Sequence, residues 1–423
     1  MNRPFNPHLC AGSANLSTAL EEILKQLAGF EEFHKLRKRK RRAVDQATFE
    51  RTVEALVCDL VLRESEAPGS GIHLPLGHKV LRKKSRYKGV ALNKTLPEVL
   101  RIMAADEMSF VEVEKGRTTF KVINQDLDVI PLSGEQTVVR AGSKLLSRIT
   151  KYQLSQNDVR EAPDEEVIVL RSKKPKNDKP APTLEYDDTP ETRSLRSSLR
   201  AINSYLAGAV IECDLAGIND QQRRLRRIFH NGDFQNGGRL YGGFWQGMRS
   251  DDRRMHIIIE GDCIAELDVG QTGILALYKL AGATPPKGDL YDLSAAGIPT
   301  TARDGIKKVM NAMVSASEPL KRLPKGARKA IPRSLSLRDV TNAIDKIHPR
   351  LSGHWCKGLY GAVWRIESNA LVEVLTRLNS KGIVALPIHD AVLVADMHKD
   401  RALEVMLEVY EKALGVRPKI AVS

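Results

Sequence analysis

Apolar positions along the chain repeat with two distinct periods. From position 43, Phe49, Val53, Leu56, Val57 and Leu60 are spaced by three and four residues, which predicts a helix with one buried stripe. The same spacing recurs in Leu195, Leu199, Ile202 and Leu206, in Ile274, Leu275, Leu277, Tyr278 and Leu280, and in Ile306, Val309, Met310, Met313 and Val314. Residues 1–34 read as a short helical lead-in. Asn93 or Thr95 caps a further helix, with Pro97 in its first turn and Val99, Leu100, Met103 and Ala104 along its apolar side.

Period-two patterns alternate with these helices. Met108–Glu114 reads as a strand that turns at Lys115-Gly116 and pairs with Arg117–Val122. His256–Ile259, a turn at Glu260-Gly261-Asp262 and Cys263–Val269 read as a second hairpin. Ile383–Ile388 and Val392–Ala395 are apolar strands separated by His389-Asp390-Ala391. The pattern predicts an α+β protein with three segments. An N-terminal helical and winged-helix-like basic domain covers 1–170, a Lys/Pro-rich linker 171–190, and a second domain 191–423.

Composition narrows the partners. The 423 residues are 42% hydrophobic and 28% charged, which excludes a wholly disordered chain, and no apolar run approaches the length of a membrane span. The start of the chain lacks a secretory h-region, so a cytoplasmic location without membrane contact is expected. Cys10, Cys58, Cys213, Cys263 and Cys356 have no metal-binding spacing and read as reduced, mostly buried thiols. The net charge is +14, and seven cations crowd positions 35–42. Such an excess suits a polyanion, because each neutralised phosphate releases counterions; it also suits a solvated basic surface.

The chemistry concentrates in the C-terminal half. Asp268 closes a strand just before a helix, where a carboxylate serves either as a cap or as an exposed, rigidly aimed ligand. Asp390 lies between two apolar strands and needs backbone amides or a cation to offset its charge. Arg303, Lys307, Asn311 and Ser315 recur every four residues and form one polar stripe, able to grip a triphosphate or simply to face water. Arg223–Phe229 is basic, and Phe234, Tyr241, Phe244 and Trp245 lie among Gly237, Gly238, Gly242 and Gly243; these segments suit either nucleic-acid contact or a tight structural loop.

In order, these pieces resemble the palm and fingers of the DNA polymerase I family and of phage-type single-subunit RNA polymerases. Glu266–Gly273 resembles motif A, Arg303–Lys307 motif B and Pro387–Ala391 motif C. Gly237-Gly238-Arg239-Leu240 and Asp289-Leu290-Tyr291 resemble flanking elements. The resemblance spans roughly Arg226 to the last residue. It implies a right-hand core with an antiparallel palm sheet and helical fingers and thumb (palm 225–300 and 380–423, fingers 301–350, thumb 190–222). The function it implies is template-directed nucleotidyl transfer to a 3′-hydroxyl by a DNA or RNA polymerase. Nucleic-acid template or primer–template and nucleoside triphosphates are the implied partners; protein partners are not specified. Asp268 and Asp390, with the Val269 carbonyl, would bind two Mg2+ ions (Mn2+ as a substitute), one lowering the pKa of the primer 3′-hydroxyl and the other gathering the triphosphate. Arg303 and Lys307 would contact the β- and γ-phosphates, and Lys307 would protonate the leaving group. Asn311 and Ser315 would lie along the nucleotide, Arg239 would touch the primer–template, and His389 would sit beside the primer terminus.

The departures matter as much. Gly273 stands where polymerase I enzymes carry Glu, which makes room for a ribose 2′-hydroxyl. Ser315 stands where both families carry Tyr, and no proofreading exonuclease pattern is visible in 1–225. A catalytically degenerate DNA-binding replication or regulatory protein is the alternative, with a nuclease behind it. His354-Trp355, Trp364 and Glu367 carry no assigned chemistry.

Overall fold

The computed structural model describes residues 2–116, 118–122, 129–163, 165–175 and 180–423. The protein is mixed α+β and divides into two compact units, Met1–Glu166 with Ala216–Gln222, and Val167–Leu215 with Arg223–Ser423.

In the first unit, strands β1 (Arg3–Pro4) and β2 (Leu9–Ala11) precede helices α1 (Ala14–Phe33) and α2 (Ala43–Glu66). Then come β3 (Ile72–Leu74), α3 (His78–Arg82), α4 (Leu96–Met103), β4 (Val111–Glu114), β5 (Thr118–Val122), β6 (Val129–Gly134), β7 (Thr137–Ala141), α5 (Ser143–Tyr152) and β8 (Val159–Glu161). The expected stripe of α2 is buried, and burial continues around the helix through Ala55–Arg63, so α2 is the central element of this core. Thr95 is the N-cap of α4, but no side chain caps the helix; Asn93 Oδ1 instead accepts from Thr95 N at 2.6 Å.

The expected wing is not formed as read. β4 pairs antiparallel with β7, in a sheet ordered β1-β3-β7-β4, whereas β5 pairs with β6. The β4–β7 register sets Val111 against Ala141 and Val113 against Val139, and cross-strand apolar pairing of this kind outweighs the local turn at Lys115-Gly116. Arg117 lies outside the described residues.

The second unit begins with β9 (Ile168–Leu170) and α6 (Pro190–Gly208). Between them, Ser172 N donates to Pro182 O and Leu184 N to Leu170 O, so the described ends of the Lys/Pro-rich run lie side by side. Residues 176–179 of that run lie outside the described residues. Thr189 and Thr192 form a capping box at the start of α6, with Pro190 in the first turn. Strands β10 (Ile211–Cys213), β11 (Arg226–His230) and β12 (Asp233–Tyr241) follow, then α7 (Ser250–His256), β13 (Ile257–Ile259), β14 (Asp262–Val269), α8 (Thr272–Leu280), α9 (Arg303–Ser315), α10 (Leu337–Ile347), α11 (Tyr360–Ser380), β15 (Ala385–Ile388), β16 (Ala391–Ala395), α12 (Lys399–Leu414) and β17 (Ile420–Val422).

The main sheet runs β10-β13-β14-β16-β15, with β17 added to the free length of β14. β16 is buried throughout, while β14 alternates near its end, burying Leu267 and Val269 and exposing Asp268. Helices α11 and α12 pack against each other, against α8 and against this sheet. The thiols are less buried than expected. Cys10 and Cys58 are inside, Cys213 and Cys356 are intermediate, and Cys263 is exposed because it falls on an outward position of β14. No helix of the described residues is long and apolar enough to cross a membrane.

Candidate active site

The β14–β16 register opposes Asp268 to Ala391, which places Asp390, in the turn before β16, beside Asp268. Neither carboxylate accepts a backbone N–H from the described residues, and the N-cap of α8 is Gln271 rather than Asp268. Burial and then the neighbouring Asp390 charge raise the pKa of Asp268; Lys307 works in the opposite direction. Thr272, one residue into α8, links the two segments: its Oγ1 donates to Val269 O at 2.7 Å and lies 3.3 Å from Asp390 Oδ2.

His389 adopts φ +54°, a left-handed conformation uncommon for a residue with a Cβ, in the two-residue turn that presents Asp390. This turn is braced from behind. Trp245 is fully buried and its Nε1 donates to Pro387 O at 2.9 Å. The glycine and aromatic segment is therefore structural at this point. Gly238 (φ +87°) sits in the irregular part of β12, where an added Cβ would lie 2.9 Å from both the Phe229 ring and Ser368 Oγ.

A cavity of about 380 Å³ opens over the acidic pair. Asp268, Val269, Gly273, Lys307, Asn311, Ser315, Arg239 and Asp390 all line it, so eight of the expected site residues meet in one place. Two do not line it. The Arg303 guanidinium is paired with Asp289 and lies 5.4 Å from the centre of the Tyr291 ring. Burial opposes ionisation of Asp289, but Arg303 outweighs it and holds the carboxyl below its usual range. His389 lies 6.3 Å, centre to centre, from the Tyr241 ring, and burial followed by the Arg239 charge lowers its pKa.

The Asp289–Tyr291 segment is fixed to the site. Leu290 N donates to Gln271 Oε1 at 2.6 Å, and buried His348 lies 2.9 Å from Leu290 O and 2.8 Å from Tyr278 Oη. Because a carbonyl only accepts, His348 Nε2 carries the proton and Nδ1 accepts from Tyr278. Ser315 spends its hydroxyl on Asn311 O at 2.9 Å.

Three lining residues were not assigned chemistry by their sequence positions: Glu367, Trp364 and Thr272. Glu367 is 3% exposed, and its Oε2 accepts from Arg239 Nη2 at 2.6 Å. Burial pushes its pKa up to about 7 against the pull of Arg239. The Arg239 guanidinium also lies over the Trp364 ring, 4.4 Å from its centre. The basic run nearby is structural as well. Arg223 donates to Ala209 O and Ile211 O, and Arg227, 2% exposed, donates to Gly238 O, Ser368 Oγ and Asn369 Oδ1.

Among the described residues no cluster of three His, Cys, Asp or Glu side chains forms a closed metal cage. Two carboxylates with no backbone partner beside an open cavity still fit Mg2+, which commonly takes one or two carboxylates and leaves its other positions to water and substrate phosphates.

No family model matches the chain, and no curated protein matches it. Among solved structures, the POL domain of Pol1 from M. smegmatis, in complex with DNA primer-template and dNTP, is similar over 98% of this chain at 9% identity, with a TM-score of 0.33. This chain spans 66% of the length of that one. A likeness at that level assigns neither family nor function.

Proposed function

We propose that the chain is a template-directed nucleotidyltransferase that adds nucleotides to a 3′-hydroxyl. The observation that carries this reading is the meeting of Asp268, Asp390 and Lys307 in one cavity from three separate elements. In this reading the β14–β16 sheet is the palm of a right-hand core and α9 belongs to the fingers. Asp268, Asp390 and the Val269 carbonyl would hold Mg2+, or Mn2+ in its place, which offsets triphosphate charge and makes the 3′-hydroxyl more acidic.

The chain's own groups do the rest. Lys307 approaches from the exposed face of α9 and offers a cation to the phosphates and a proton to the departing pyrophosphate. Asn311 lies one turn further along that face. Arg303, held by Asp289 at the start of the same helix, reaches a phosphate only by exchanging that partner. Trp364 and Tyr360 offer aromatic faces at the wall of the cavity on which a base can stack. Gly273 leaves the sugar unobstructed on one side, which favours ribonucleotide use.

Primer extension with the full chain, Mg2+ and either dNTPs or rNTPs tests the assignment. Incorporation by the wild type and its loss in Asp390→Ala is the expected result; equal activity in both overturns it. The degenerate DNA-binding reading is favoured by one observation, the small, internally bonded Ser315 in place of an aromatic. DNA binding that persists without Mg2+, with no incorporation on any primer–template, would establish it instead.

A further inference from the structure

Glu367 is almost wholly buried, yet it lines the cavity. Its two oxygens have different surroundings. Oε2 is committed to Arg239 at 2.6 Å, whereas Oε1 faces Gly273 and lies 3.6 Å from where a Cβ at that position would stand. The space left by the missing Cβ is therefore within hydrogen-bonding reach of a carboxyl oxygen held rigidly by its partner, and a ligand hydroxyl fits there.

Position along the cavity says which hydroxyl. Gly273 follows Thr272, whose hydroxyl touches Asp390, so one side of the Gly273–Glu367 gap is the acidic and Lys307 end, suited to metal-bound phosphates. Trp364, three residues before Glu367 on α11, and Tyr360 are aromatic and suit a base. A nucleoside triphosphate laid between those ends places its sugar against Gly273 and Glu367.

We infer, resting on the nucleotidyltransferase reading, that Glu367 is the sugar-reading residue of this site: its Oε1 accepts a hydrogen bond from the ribose 2′-hydroxyl across the gap left by Gly273. A buried acceptor built for a hydroxyl disfavours the analogue lacking it, because the acceptor is then left dry and unpaired. The carboxyl's raised pKa, near 7, leaves Oε1 an acceptor in either protonation state.

The test measures Kd for ATP and 2′-deoxy-ATP on the full chain with Mg2+ and a primer–template ending in a dideoxynucleotide, so that binding is read without turnover. The wild type should prefer ATP by on the order of 10-fold or more. Glu367→Ala should bring the ratio below about 3-fold, chiefly by weakening ATP. Gly273→Ala is the second variant: position 273 is helical, without a left-handed φ, and an added Cβ meets only ordinary contact, so its fold is retained. Its methyl fills the gap and should weaken ATP at least about 5-fold while leaving 2′-deoxy-ATP nearly unchanged. If Glu367→Ala does not fold by thermal melting, Gly273→Ala alone decides. Nucleotide binding with a ratio that neither variant changes, or tighter ATP binding by Glu367→Ala than by the wild type, overturns the sugar-reading role and leaves the nucleotidyltransferase reading standing. A wild type that binds neither nucleotide overturns both.

Discussion

Thr272 Oγ1 lies 3.3 Å from Asp390 Oδ2 although 118 positions separate the two residues. The same hydroxyl donates to Val269 O, so one buried side chain ties the end of β14 to the turn that carries the second acid. Thr272→Val keeps the shape and removes the hydroxyl. We expect a stability loss of about 1 kcal/mol, typical of one hydrogen bond, and several-fold weaker divalent-ion binding with the fold intact. Thr272→Ser should restore both. Thermal melting and Mn2+ titration check this; unchanged Mn2+ affinity in Thr272→Val would show that the link does not position Asp390.

The acidic pair predicts a cation-dependent melting temperature. Asp268 is raised by burial and by Asp390, so a proton competes with any divalent ion at its carboxylate. Mg2+ at ten times its Kd should stabilise the protein by about 1.4 kcal/mol and EDTA should reverse the gain. The gain should shrink as pH falls, because the raised carboxyl takes up its proton earlier than an ordinary Asp. Asp390→Asn should abolish the Mg2+ effect and lower the pKa of Asp268. A melting series in Mg2+ and EDTA across pH reads the first outcome, and an NMR titration the second.

Much of this site was legible because its parts are local. The Cys263–Val269 strand, the two-residue turn before Ala391 and the polar stripe of α9 each follow from spacing over fewer than 15 residues, and all three form. Glu367 was harder to read. On α11 it falls in line with buried Val363, Ala370, Leu371 and Val374, and an acid on such a stripe was the available signal. Its partner Arg239 is 128 residues away, and no periodicity reports so distant a contact. The partner of β4 was missed for the same reason: β7 lies beyond a second hairpin, whereas the turn at Lys115-Gly116 is local. Cation runs mislead in another way, since composition does not reveal that Arg223 and Arg227 point inward to carbonyls.

Arg239→Met should expose the cost of burying Glu367. Its folded pKa, about 7, exceeds the ordinary value of 4.5. The native state therefore binds more protons than the unfolded chain between those values, and stability falls as pH rises through that window. Removing Arg239 takes away the counter-charge that opposes this. The variant should be close to wild type near pH 4.5 and less stable by roughly 1–3 kcal/mol at pH 8. Urea unfolding at the two pH values measures the difference; a deficit equal at both would mean that lost packing on Trp364, not charge, is responsible.

Arg227 separates a structural from a nucleic-acid role for the basic run at 223–227. Its guanidinium is buried with no carboxylate partner among the described residues, and burial brings its pKa down to about 9. Three acceptors from β12 and α11 converge on it, Gly238 O at 2.8 Å, Ser368 Oγ at 3.1 Å and Asn369 Oδ1 at 2.6 Å. Truncation would empty that volume and strand the Gly238 carbonyl, so Arg227→Ala should lose about 3–4 kcal/mol of stability. Lysine carries one point of charge where three divergent donors are needed, so Arg227→Lys should recover only part of the loss. Exposed phosphate-binding cations behave in the opposite way: their removal leaves melting unchanged and lowers the salt dependence of DNA affinity by about one unit per contact. Melting and salt-dependent DNA titration of the same two variants therefore decide the matter. Unchanged melting with a reduced salt slope would mean that Arg227 turns outward to phosphate and that its bonds to β12 and α11 are not what holds it.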